Sequence, residues 1–67
     1  MSETTYRVEG MTCEHCVQSV TKEVTRVDGV DAVKVDLAAG QVTVTGTGFA
    51  DAAVRAAIDE AGYTVTG

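Results

Sequence analysis

Hydrophobic and polar residues alternate from Thr4 to Glu9, with Tyr6 and Val8 on one side and Thr5, Arg7 and Glu9 on the other. A period of two belongs to a strand with one buried face, so a strand is predicted there, ended by Gly10. From about Glu14 to Val27 the period lengthens. Val17, Val20, Val24 and Val27 are spaced three, four and three apart and line one stripe of a helix, with Cys16 beside it. Gly29, after Asp28, suits a left-handed helix stop, with Val30 folding back on the last turn. Alternation returns at Val33, Val35 and Leu37, pauses at Ala38-Ala39-Gly40, and resumes at Val42 and Val44, which is the pattern of a β-hairpin. Gly46-Thr47-Gly48 reads as a structural turn, because no Lys-Ser/Thr follows to serve a phosphate. A second helix over Asp51 to Ala61 sets Val54, Ala57, Ile58 and Ala61 on one face, with Asp51 near its positive end and Gly62 as its stop. A short strand over Tyr63 to Thr66 follows.

Each helix has one apolar stripe and each strand one apolar side. A single sheet covered on one face by two helices buries all of them. The predicted fold is therefore α+β: a ferredoxin-like βαββαβ sandwich with a four-stranded antiparallel sheet and two helices on one face. At 67 residues the chain has too little interior for two cores, so one domain over residues 1–67 is expected. Hydrophobic residues at 45% and charged residues at 22% are ordinary globular usage, and Val and Ala dominate a core with few aromatics.

Charge narrows the partners. Ten acidic residues against five basic ones give a net charge of −5, which opposes binding to nucleic acid or anionic lipid. Arg7, Lys22, Arg26, Lys34 and Arg55 are scattered, so none forms part of a basic tail. The opening Met1-Ser2-Glu3-Thr4-Thr5 lacks a basic start and an apolar run, and no stretch of 18 apolar residues occurs. No secretory leader and no membrane insertion are expected, and the expected location is cytoplasmic. In a reducing compartment, two cysteines three positions apart read as free thiols, a metal site or a redox couple.

Those cysteines lie in Met11-Thr12-Cys13-Glu14-His15-Cys16, between the first strand and the first helix. Cys13 is expected in the loop and Cys16 in the first helical turn, so that both sulfurs can face one point. Unpaired N–H groups and the positive end of the helix dipole favour thiolates there, and thiolate is the form that binds metal. A lone Cys-x-x-Cys can also be a pair of incidental cysteines; its placement on a strand-to-helix loop favours function.

Met-x-Cys-x-x-Cys after a first strand, in a chain of this length and element order, resembles the heavy-metal-associated domain family. The similarity covers essentially the whole chain: Val8-Glu9-Gly10-Met11-Thr12-Cys13, Val27-Asp28-Gly29-Val30 and Ala61-Gly62-Tyr63 all resemble stretches of its bacterial copper chaperones. The resemblance implies the ferredoxin-like fold, Cu(I) held by Cys13 and Cys16, and delivery by ligand exchange to a copper-transporting P-type ATPase, with no covalent catalysis. Chemistry agrees, since two thiolates form a soft, low-coordinate site suited to Cu(I), whereas Zn(II) normally takes four ligands. A monomer when metal-free and a copper-bridged homodimer through facing cysteine pairs are expected.

Four neighbours admit more than one reading. Met11 offers either a thioether ligand or an apolar anchor for the loop, and the resemblance implies the anchor. His15 is either a third ligand and tuner of the thiolates or a solvated side chain. Tyr63 can simply pack against the second helix, and in the resembling chaperones a phenol there lies beside the thiolates. Glu14 is a hard ligand that would suit Zn(II) or Cd(II), or an acid favoured at a helix start. The rival functions are a Zn(II) or Hg(II) carrier, a metal-binding regulatory domain of a transporter, and a thiol–disulfide oxidoreductase. The last is disfavoured because the chain has no Pro and no Trp, landmarks that usually flank the reactive pair in thioredoxin-like proteins.

Overall fold

The computed structural model describes residues 2–12 and 14–67. Its elements run β1 (Ser2–Glu9), α1 (Glu14–Thr25), β2 (Val30–Asp36), β3 (Gln41–Gly46), α2 (Asp51–Glu60) and β4 (Thr64–Val65). The sheet order is β2-β3-β1-β4 and every pairing is antiparallel. This is the ferredoxin-like α+β arrangement, with α1 against β2, α2 against β4 and the helices touching each other. None of the described helices is long and apolar enough to cross a membrane.

The alternation along β1 and β3 has a direct consequence for packing. Tyr6 and Val8 from β1, and Val42 and Val44 from β3, turn inward to meet Val20 and Val24 of α1 and Val54 and Ile58 of α2. All are buried, and removing each side chain from water contributes about 1.5–3 kcal/mol. The opposite sheet face is polar, with Thr5 and Thr43 hydrogen-bonded hydroxyl to hydroxyl at 3.2 Å across the β1–β3 pair.

Several boundaries differ from the sequence expectation, each for a physical reason. β1 starts at Ser2 rather than Thr4, because Ser2 and Glu3 pair with Gly46 and Thr45 although they bury nothing. β2 starts at Val30 rather than Val33. A bulge makes Val30 and Ala32 face the successive residues Gly46 and Thr45, so Asp31 is an extra residue that breaks the apolar period. Leu37 leaves the strand for a four-residue turn in which Asp36 Oδ1 accepts from the Ala39 N–H at 3.1 Å. α1 ends at Thr25, and Gly29 is not its cap. The Val30 N–H donates to the Val27 carbonyl at 3.2 Å, which makes Gly29, at φ +91°, the third residue of a β-turn where positive φ is required. A Cβ there would also stand 2.6 Å from the Thr47 carbonyl oxygen and 2.8 Å from the Phe49 nitrogen.

Gly62 does cap α2. The Gly62 N–H donates to Asp59 at 2.9 Å and the Tyr63 N–H to Ile58 at 3.3 Å, the paired bonds of a Schellman motif. Tyr63 thus belongs to the helix end, and β4 begins at Thr64. The other end of α2 is tied to the sheet. Tyr6 Oη donates to Asp51 Oδ1 at 2.8 Å, Arg55 Nε donates to Asp51 Oδ2 at 2.9 Å, and the Arg55 guanidinium lies 5.4 Å from the centre of the Tyr6 ring.

Candidate metal centre

β1 delivers the chain to the loop that joins it to α1, and two adjacent residues fix how it leaves. Gly10 adopts φ +97°, turning out of the strand, and Met11 then drops inward until only 9% of it is exposed. A Met side chain without polar hydrogens can fill an irregular gap in the core at little strain, and here it joins the same apolar cluster as Val20, Val24 and Ile58. Thr12 is exposed.

Cys16 is the third residue of α1, in its first turn, at the positive end of the helix dipole. It is half-buried and packs against the core cluster. Glu14 and His15 precede it on the helix and are both exposed. Glu14 sits where the helix dipole favours a carboxylate. Cys13, the other expected sulfur, lies outside the described residues. Among the described residues no three His, Cys, Asp or Glu side chains converge as a metal cluster would require.

Tyr63 comes close to the start of this loop at Gly10. Its ring is half-buried against the core, and its Cδ1 lies 3.3 Å from where a Cβ on Gly10 would stand. The structure therefore gathers Met11, Cys16 and Tyr63 around the β1–α1 junction while His15 faces outward. Gly10 was not singled out from the sequence beyond ending a strand. Only the register of β1 with β4 reveals that its missing side chain matters.

The comparisons with known proteins bear on this junction. A model of the heavy-metal-associated domain matches residues 5–64, which includes the junction and all but the edges of the fold. The chain belongs to the heavy-metal-associated domain family. Within the family it is 51% identical to the copper chaperone CopZ of Bacillus subtilis over 45 residues, covering 67% of this chain and 65% of that protein. It is 46% identical to copper-transporting ATPase 2 of Rhizobium meliloti over 61 residues, which is 90% of this chain and 7% of the ATPase. The chain thus spans slightly under two thirds of the first relative and a small part of the second. A solved CopZ metallochaperone superposes with a TM-score of 0.93 at 36% identity, covering 97% of this chain and all of the other. The family's fold is the one built above from alternation and helical spacing.

Proposed function

We propose that this chain is a single-domain copper chaperone, which takes Cu(I) as cargo on the thiolates of Cys13 and Cys16 and passes it to a copper-transporting P-type ATPase. The observation that carries the reading is the placement of Cys16 in the first turn of α1, three residues after Cys13, in a chain similar to CopZ. Two soft, anionic sulfurs at the positive end of a helix suit a monovalent thiophilic ion. Hard oxygen and nitrogen donors are held away from the interior, since Glu14 and His15 are exposed.

An ion bound by two sulfurs has room for a third. A thiolate from the acceptor adds to Cu(I), giving a three-coordinate ion shared by both proteins. One sulfur of this chain then leaves, and the second follows as the acceptor completes its own pair. No electron changes hands and no free ion is released. The similarity to part of a copper-transporting ATPase supports that acceptor, because two copies of one architecture offer equivalent ligand sets and a small free-energy difference for transfer. His15, exposed between the two cysteines, serves in this reading as a third ligand or stays solvated, whereas Met11 serves as the loop's apolar anchor.

The test is anaerobic Cu(I) titration of the parent and of a variant carrying both Cys13→Ser and Cys16→Ser. Stoichiometric uptake by the parent and none by the variant is expected. Uptake that survives the double substitution refutes the reading, and preferential uptake of Zn(II) or Hg(II) by the parent replaces copper with that metal.

A further inference from the structure

Val8 pairs with Val65 and Glu9 with Thr64. One step further along this antiparallel register, Gly10 stands opposite Tyr63. Residues directly opposite one another on antiparallel strands bring their β-carbons about 5 Å apart, close enough to touch. Gly10 has no β-carbon, and the Tyr63 ring packs closely beside the place one would take: a Cβ built on Gly10 would meet Cδ1 at 3.3 Å, tighter than ordinary contact, and Cε1 at 4.0 Å. An aromatic ring laid over a cross-strand glycine shields the bare backbone and holds the pair in register. The Schellman bond to Ile58 fixes the Tyr63 backbone, and the ring is half-buried against the core.

We infer that Gly10 is a positioning residue for the metal loop: by lacking a side chain it seats the Tyr63 ring, which latches the start of the loop to the C-terminal cap of α2. The inference rests on the copper-chaperone reading above and adds to it a residue that touches no metal. Met11, buried immediately after Gly10, pins the next position of the chain. Ring and anchor together fix the direction in which the chain leaves β1 at Gly10 and Met11. Any change of loop shape on loading or transfer is felt at the end of α2 through the same ring.

A double-mutant cycle tests the latch, with Gly10→Ala introduced into the parent and into Tyr63→Ala, and Cu(I) affinity measured against a competing chelator. Alanine at position 10 meets two obstacles: positive φ, present in both backgrounds, and the Tyr63 ring, present only in the parent. Gly10→Ala is expected to lower affinity by about tenfold in the parent and by about threefold or less where the ring is gone. Equal losses in both backgrounds overturn the latch, as does a reduced thermal midpoint with the affinity of the folded protein unchanged. A second measurement needs no metal and no variant at position 10. In the metal-free protein the Gly10 α-protons should carry a ring-current shift that disappears in Tyr63→Leu. Unshifted α-protons in the parent also overturn the proposal. If the parent binds no Cu(I), the copper reading fails while the ring-current result still decides whether the latch exists.

Discussion

Met11 provides the sharpest separation between packing and ligation, because its sulfur and its volume can be removed independently. Met11→Ala empties a site that is 91% shielded and packed among Val20, Val24 and Ile58. Truncating a buried Met to Ala costs about 2–5 kcal/mol. A chain of 67 residues has on the order of 3–10 kcal/mol in total, so the loss threatens the fold itself. At about 4–8 °C per kcal/mol, the thermal midpoint should fall by roughly 10 °C or more. Met11→Leu keeps the volume and removes only the thioether, a change that usually costs less than about 1.5 kcal/mol. The assay pairs thermal unfolding of the metal-free protein with Cu(I) competition against a chelator. The anchor role predicts that the Leu variant retains its fold and binds Cu(I) within about threefold of the parent, under 1 kcal/mol. A Leu variant that folds normally and loses more than about tenfold in affinity would make Met11 a ligand. An Ala variant as stable as the parent would refute the packing argument.

Further outcomes follow from other parts of the fold. The Tyr6 phenol is pushed up to about 12, first by burial and then by its bond to Asp51, so the unfolded chain ionises this group first as pH rises. Stability is therefore lost between about pH 10 and 12, and Tyr6→Phe should flatten that limb in thermal midpoints measured against pH; an unchanged limb contradicts the assignment. Asp51 moves the other way, held below the usual carboxylate range by the Tyr6 hydroxyl and then by Arg55. Its stabilising effect is present above the ordinary carboxylate pKa and disappears as pH falls through the folded value, a loss that Tyr6→Phe should reduce. Gly46→Ala places a Cβ on top of the Gly29 carbonyl oxygen and 2.9 Å from Val30 Cα, so the urea midpoint should drop by an amount equivalent to about 1–3 kcal/mol; no drop would mean that the β2–β3 hairpin yields freely there. Size-exclusion mass at rising Cu(I) should pass from monomer to dimer if facing cysteine pairs share copper, and a constant monomer mass excludes that bridge.

The elements were readable wherever burial imposed a period. Tyr6 and Val8, Val42 and Val44, and the Val20–Val24 and Val54–Ile58 spacings each marked a face that the structure buries. The misjudged boundaries lie where pairing proceeds without burial, as at Ser2 and Glu3, or where an inserted residue hides the period, as at Asp31. Gly29 was read as a helix cap because a glycine at positive φ looks alike in a cap and in a turn; only the Val30-to-Val27 hydrogen bond separates them. Cys16 and its place in the first turn of α1 were legible from the motif and the start of helical spacing. The seat of Tyr63 on Gly10, and the tie from Tyr6 to Asp51 and Arg55, join residues far apart in sequence and leave no local period.

The most direct test of the central claim is X-ray absorption at the copper and sulfur edges of protein loaded anaerobically with one equivalent of Cu(I), since it reports oxidation state, donor type and coordination number together. The account predicts monovalent copper bound only by sulfur, in low coordination, with the signal absent when Cys13 and Cys16 are both Ser. A first shell dominated by nitrogen or oxygen, or copper that stays with the chelator, would contradict it.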